Sequence, residues 1–161
     1  MTVEDYNQAV NLYADGIFRF VLKTIRDEEK ARDIVQDSFE KLWARLRSVD
    51  AAKVKSYLFT TAYHRAIDMI RKDQRQQSYD EIPLQEEGHE RQYSDVGEVL
   101  NKAVQLLPDD QRSVLLLRDY EGYSYKEISE ITALSEAQVK VYIYRARVFL
   151  KNYIGKIDVL V

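Results

Sequence analysis

SYKEISEITALSEAQVKVYIYRARVFLK, residues 124–151, is the stretch whose reading decides the fold. Ser124 followed by Glu127, and Ser135 followed by Gln138, each form the S/T-x-x-E/Q signature of a helix start. In it the serine oxygen accepts from an early helix amide while the third side chain reaches back to the serine amide. One helix therefore starts near Ser124 and a second near Ser135. Only Thr132, Ala133 and Leu134 make the corner between them, which suits a helix-turn-helix or a plain helical hairpin.

The second helix bears on that choice. Val139, Ile143, Ala146 and Leu150 keep the spacing of one buried face, so Gln138, Lys140, Val141, Tyr144, Arg145, Arg147 and Lys151 spread over the rest of the cylinder. That outer surface is basic and aromatic. Cations late in a helix are favourable on dipole grounds alone, and a solvated charged face is the plain alternative. Against it stands their position on the second helix of a helix-turn-helix, the element that enters a major groove. Lysine and arginine there reach phosphates and guanine edges.

A chain of 161 residues holds one domain or two small ones, with enough apolar residues for a core in either case. The absence of cysteine excludes disulfides and thiolate metal sites, and His64 and His89 alone do not suggest a zinc centre. No metal and no cofactor is expected. The acidic, amphipathic start MTVEDYNQAV does not resemble a signal peptide, and no apolar run is long enough to span a bilayer. The expectation is a soluble, cytoplasmic protein. The net charge of −3 is not that of a general nucleic-acid coat. Cations gather instead at 65–75 and 140–156, with an acidic middle containing Asp80, Glu81, Glu86, Glu87, Glu90, Asp95 and Glu98. Two basic patches on either side of an acidic connector suggest two contact surfaces on one long polyanion.

The pattern before residue 124 is also helical. A first helix starts after Thr2, with Glu4 and Asp5 at its positive end and Gly16 as a point where it can bend. Asp27 reads as the N-cap of a second helix carrying Ile34, Val35, Phe39, Leu42, Trp43 and Leu46. Asp33, Gln36, Asp37 and Glu40 give it an acidic face. An enzymatic reading would use Asp33, Asp37 and Glu40 as acid/base or metal carboxylates. The interspersed Lys30, Arg32, Lys41 and Arg45, with no glycine-rich loop or histidine nearby, favour an ion-paired surface without catalysis.

A long helix is expected from Ala51 to about Arg75, with Val54, Leu58, Ala62, Ala66, Ile67 and Ile70 inward. Its other side mixes Tyr57, Phe59, Tyr63, His64, Arg65, Asp68, Arg71 and Lys72, in which rings offer stacking surfaces for bases and cations attract phosphate. Taken singly, Tyr57 and Phe59 suit core packing, and His64 with Asp68 one turn later suits a hydrogen-bonded pair better than a metal site. Residues 76–95, with Pro83, Gly88 and dense polar content, break the pattern and mark a domain boundary. Helices over 96–107 and from Pro108 to Gly122 then lead to Ser124.

These residues resemble the extracytoplasmic-function, or group IV, sigma factors of bacterial RNA polymerase over nearly the whole length. DEEKARDIVQDSFEKLW (Asp27 to Trp43) is similar to the family's D-x-x-D-[IL]-[VA]-Q-[ED]-x-F-x-x-[LV]-W stretch, and VKSYLFTTAYHRAIDMIRKDQR (Val54 to Arg75) to its W-L-x-x-I-A-x-N-x-x-x-D-x-x-R-R helix. Leu107 to Lys151 is similar to its L-P-x-x-x-R … E-G-x-S-Y-x-E-I-A … V-[KR]-x-x-x-x-R-A-[RK] pattern. His64 stands where the family usually has asparagine, Tyr57 where tryptophan is common, and Ser129 where alanine is usual.

The resemblance implies an all-α fold of two small helical domains joined by an acidic linker, the second containing a helix-turn-helix. Its boundaries would be 1–76 for sigma region 2, 77–95 for the linker and 96–161 for sigma region 4. It further implies core RNA polymerase and promoter DNA as partners, an anti-sigma factor that is often membrane-bound in relatives, and no small-molecule substrate. Asp33, Gln36, Asp37, Phe39 and Trp43 would dock on polymerase. Tyr63, His64, Asp68, Arg71 and Lys72 would read the −10 element, and Gln138, Lys140, Val141, Tyr144, Arg145 and Arg147 the −35 element. Arg112, Ser124 and Tyr125 are candidate phosphate contacts. The rival reading is a conventional helix-turn-helix regulator that does not replace a sigma subunit.

Overall fold

A computed structural model describes residues 1–77 and 95–160, and every regular element among them is helical. The expected linker over 77–95 lies almost wholly outside the described residues. Helix α1 spans Val3–Ile25. It starts on a capping box, with Asp5 N donating to Thr2 Oγ1 at 3.1 Å and Thr2 N to Asp5 Oδ2 at 2.9 Å. Helix α2, Glu28–Ala44, begins at the expected Asp27, whose Oδ1 accepts from Lys30 N at 3.0 Å. A single 3-10 turn, Ala51–Lys53, opens into α3, Val54–Gln77. These three helices pack mutually around buried Ile17, Phe20, Val21, Ile34, Leu42, Leu58 and Ala62.

The second group is α4 (Asp95–Leu106), α5 (Asp109–Leu115), α6 (Tyr125–Thr132) and α7 (Glu136–Leu160). Helix α5 continues as a π-helical turn over Leu116–Tyr120. Val114, Leu115, Leu116 and Leu117 are all buried, as befits a helix segment that is apolar all round. Gly122, at φ +75°, ends it in the left-handed conformation that glycine adopts without a Cβ penalty. Helix α7 packs against α4, α5 and α6.

Both predicted capping boxes are present. Glu127 N donates to Ser124 Oγ at 3.1 Å and Ser124 N to Glu127 Oε1 at 3.1 Å. Gln138 N donates to Ser135 Oγ at 3.1 Å and Ser135 N to Gln138 Oε1 at 3.0 Å. Between them Ala133 adopts φ 64°, and the Ser129 hydroxyl donates across the corner to Leu134 O at 2.5 Å. Ser129 thus ties α6 to the turn. This is a helix-turn-helix, with α6 and α7 as its two helices.

The two groups of helices do not stand apart. Helix α6 packs on α3 and α5 on α1, and the ring of Tyr123 meets that of Phe59 at 5.3 Å and 70°, so the two cores merge into one apolar cluster. Gly16 does not bend α1, which runs unbroken through it. It faces this seam instead, where an added Cβ would lie 3.4 Å from Glu121 Oε2 and 3.8 Å from Phe59 Cζ, ordinary contact distances.

Glycine inside α1 and alanine at a left-handed corner are each the less favourable choice. Gly16→Ala is expected to stabilise the protein by about 0.5–1 kcal/mol through helix entropy. Ala133→Gly is expected to stabilise by about 1 kcal/mol by removing the Cβ penalty. Urea unfolding midpoints measure both, and a fall in either midpoint contradicts the corresponding account.

Candidate functional site

The outward face of α2 carries the first candidate surface. Asp33, Gln36, Glu40 and Trp43 are exposed. Gln36 donates to Glu40 at 3.3 Å, and Asp37 faces Arg65 of α3 at 3.6 Å. Trp43 is 52% exposed, with its ring held edge-on against Tyr6 at 5.0 Å. Phe39 departs from expectation: it is 7% exposed and belongs to the core beneath this face, with Tyr6 donating to its carbonyl at 3.3 Å. Helical phase explains the difference, because Phe39 follows Ile34 and Val35 at inward spacing while Trp43 falls at the edge of that stripe.

On α3 the candidate residues divide into two sets. His64, Asp68 and Lys72 are exposed. Among the described residues no hydrogen bond or ion pair joins His64 to Asp68, so that expected pair is not formed; His64 lies edge-on to Tyr63 at 5.3 Å instead. Tyr63 is 5% exposed. Burial first, then the nearby carboxylate of Asp110, pushes its phenol up to about 12. Arg71 lines a cleft of about 390 Å³ between the two domains, with Ile67, Ile70 and Gln74 on its own side and Pro108, Asp109, Asp110, Gln111 and Tyr142 opposite.

Helix α7 presents the third set. Gln138, Lys140, Val141, Tyr144, Arg145 and Arg147 are all exposed, Tyr144 to 70%, and Val139, Ile143 and Ala146 are buried beneath them. Arg147 is engaged: Nη2 donates to Asp119 Oδ1 at 2.6 Å and Nε to Oδ2 at 3.3 Å. This two-pronged pairing raises its already high pKa and fixes α7 against the end of α5. Lys140 and Arg118 flank the ring of Tyr125 at 5.9 and 4.9 Å, and the Ser124 oxygen serves the α6 cap.

Arg112 is placed differently from a phosphate contact. Its side chain is 11% exposed. Nη1 donates to Thr24 O at 3.0 Å, while Nη2 donates to Leu107 O at 2.9 Å and Asp109 Oδ1 at 3.2 Å. Gln105 Nε2 donates to Lys23 O at 2.7 Å. Nearby, Lys23 lies over the Tyr120 ring at 3.7 Å, Lys55 lies over Tyr123 at 4.5 Å, and Glu121 faces Arg19 at 3.6 Å. Burial raises the Glu121 pKa, with the three cations Arg19, Lys55 and Lys23 opposing it. Nothing in the residue pattern singled out Gln105, Tyr120, Glu121 or Tyr123, because their partners lie far away in sequence.

Among the described residues no group of three or more His, Asp or Glu is gathered where it could hold a metal ion, and no helix is long and apolar enough to cross a membrane. The carboxylates of α2 lie outside the described cleft.

Residues 9–76 match the family model for Sigma-70 region 2, and residues 97–150 match that for Sigma-70, region 4. Over 159 aligned residues the chain is 31% identical to the ECF RNA polymerase sigma factor SigM of Bacillus subtilis (strain 168), with 94% of each chain covered. The chain belongs to the extracytoplasmic-function sigma factors. It is also 30% identical to the RNA polymerase sigma factor YlaC of the same organism, covering 89% of this chain and 88% of the relative. Among solved structures, it is similar to the sigma factor RpoE of Bartonella quintana in complex with the anti-sigma factor NepR. The TM-score is 0.80 at 27% identity, over 94% of this chain and 98% of that one. Since each domain makes up only about half of the sigma factor, a likeness of that extent requires a related placement of the two domains as well as related domains.

Two outcomes follow from these placements. Phe39→Ala is expected to destabilise by about 3–5 kcal/mol as a buried aromatic loss, whereas Trp43→Ala leaves the urea midpoint nearly unchanged; equal effects contradict the assignment. For Tyr63, the folded pKa lies above the ordinary value of 10.0, so its contribution to stability is complete below pH 10 and is lost as pH climbs toward about 12. Tyr63→Phe should remove one late-titrating phenol from the phenolate absorbance curve and flatten the loss of stability over that window.

Proposed function

We propose that this sigma factor binds core RNA polymerase through α2, directs it to promoters with −10 and −35 elements, and initiates transcription there without catalysing a reaction itself. Residues 1–76 form the polymerase-binding and −10 domain, 77–95 the linker, and 96–161 the −35 domain. The observation that carries the reading is the segregation of two surfaces on one helical scaffold. An acidic face with an exposed tryptophan lies on α2, and a basic, aromatic face covers the second helix of a helix-turn-helix.

Each surface suits a different partner. Asp33, Gln36, Asp37 and Trp43 offer carboxylates around an exposed tryptophan, a residue type enriched among protein-binding hot spots, and Phe39 supports them from below. Gln138, Lys140, Val141, Tyr144 and Arg145 reach base edges and phosphates of the −35 element, with Ser124 and Tyr125 near the backbone. Arg147 orients α7 through Asp119. Tyr63, His64, Asp68, Arg71 and Lys72 serve the −10 element, where rings and cations suit an unstacked strand. An anti-sigma factor, the partner named for the Bartonella quintana relative, holds the protein inactive. The site of action is the cytoplasm.

Run-off transcription with core polymerase alone tests the reading. The chain is expected to confer initiation at discrete starts on genomic DNA, and Trp43→Ala to weaken core binding by about thirtyfold or more, the scale of a hot-spot loss. Free protein is expected to bind promoter duplex weakly, because few cations face the DNA. Tight, salt-insensitive duplex binding combined with no stimulation of active core polymerase favours a conventional helix-turn-helix regulator.

A further inference from the structure

The ion pair between Asp119 and Arg147 is stronger in form than the fold requires. Helix α7 is already held by buried Val139, Ile143 and Ala146, and it packs against α4, α5 and α6. With the two side chains still 38% and 49% exposed, the pair adds little stability of its own. Even so, one whole edge of the guanidinium is gripped, Nη2 on Oδ1 at 2.6 Å and Nε on Oδ2 at 3.3 Å. The larger effect of such a pair is on the charge that α7 offers to a polyanion.

Arg147 stands where a phosphate contact is within reach. It follows Lys140 by two helical turns, about 10.5 Å along the same flank of α7 at 1.5 Å per residue. That flank adjoins Tyr125, whose ring lies 5.9 Å from Lys140 Nζ and 4.9 Å from the Arg118 guanidinium. Arg118 is itself anchored, Nη1 donating to Tyr123 O at 2.8 Å. Asp119 first, and Tyr125 after it, raise the pKa of Arg147 against the effect of burial, so this guanidinium belongs to the same neighbourhood. Arg118, Lys140 and Arg147 thus gather near one ring at the start of α6.

A carboxylate and a phosphodiester meet arginine in the same way, with two oxygens for its planar fork. Asp119 therefore fills the Nε–Nη2 edge of Arg147 as a phosphate would, and the two charges cancel toward DNA. The carboxylate has a firm base. It is carried on the π-helical turn Leu116–Tyr120, whose Leu116 and Leu117 are buried.

From these observations, and resting on the reading of α7 as a DNA-facing helix, we infer that Asp119 is an internal phosphate surrogate that withholds Arg147 from DNA. It limits the affinity of the second domain for duplex of any sequence. Phosphate contacts carry no direct sequence information, so withholding one lowers binding to every duplex and keeps the unaccompanied protein off DNA in general.

Fluorescence anisotropy of the full chain with a labelled duplex lacking promoter sequence tests this. Asp119→Asn is expected to raise affinity about fivefold or more at about 50 mM salt, and to steepen the fall of log K with log[salt] by about 0.9, the increment of one phosphate contact. Glu130→Gln removes the same charge from an exposed position of α6. It should raise affinity less than about twofold, since it frees no cation for a phosphate. The double variant Asp119→Asn with Arg147→Gln replaces a neutral pair by a neutral pair and should return to the native affinity and slope. In arginine-labelled protein, the Arg147 Nε–H resonance, assigned by its loss in Arg147→Gln, should not move when duplex is added to the native chain. In Asp119→Asn it should move. The native-chain resonance carries the test if Asp119→Asn disturbs folding.

Equal gains from Asp119→Asn and Glu130→Gln, or no gain from Asp119→Asn, overturn the inference. So does a native Arg147 resonance that shifts with duplex. These measurements use neither promoter nor polymerase, so their failure is distinct from failure of the sigma-factor reading, which run-off transcription decides.

Discussion

An α-helix cannot satisfy its own last carbonyls, and the organisation of this protein depends on how α1 meets that constraint. Arg26 turns left-handed, at φ 57°, and its amide returns to Leu22 O. Lys23 O and Thr24 O are left for Gln105 and Arg112. Because those donors belong to the second group of helices, the end of the first helix also sets where the second domain sits. The Phe59–Tyr123 ring contact supplies apolar area to the same seam, but apolar contact is non-directional. The hydrogen bonds define the placement.

Charge is organised by surface, and the sum of −3 conceals that. Acidic residues cover α2, while Lys140 and Arg145 lie on the exposed side of α7. Several other cations are already engaged. Lys30 pairs with Asp73 at 3.0 Å, Arg65 lies 3.6 Å from Asp37, and Arg147 grips Asp119. Half-exposed pairs of this kind contribute little stability individually. Their value here is geometric, since they orient α2 on α3 and α7 on α5. An arginine's presence on a basic helix therefore does not make it available to DNA.

The helix-turn-helix owes its rigidity to local hydrogen bonds. Ser124 and Ser135 each close a reciprocal box, and Ser129 and Thr132 contribute hydroxyl bonds at the corner between them. These bonds hold the corner against the backbone cost of Ala133. Below it, α5 reaches Gly122 through a π-helical turn, which inserts extra backbone where the buried leucines meet the start of the motif. The capped starts of α6 and α7 let α7 present its outer residues as one surface.

Much of this was legible in the sequence because it depends on short-range rules. Capping serines three residues from a glutamate or glutamine, inward spacing on α7, Asp27 ahead of α2 and the apolar run after Pro108 act within one or two helical turns. They determined a largely helical chain with two helices joined by a short corner near its end, and which side of α7 faces out. The same rules could not separate Phe39 from Trp43, both on the flank of one amphipathic helix, nor show that Tyr63 is buried. They could not reveal that Arg112 and Arg147 already have partners, or that a glycine in α1 faces a seam and does not mark a bend. Those outcomes depend on contacts between residues tens of positions apart, and helical periodicity carries no record of them. Only the tertiary structure decided how the two domains meet, because that meeting satisfies carbonyls of α1 with side chains from more than eighty residues later.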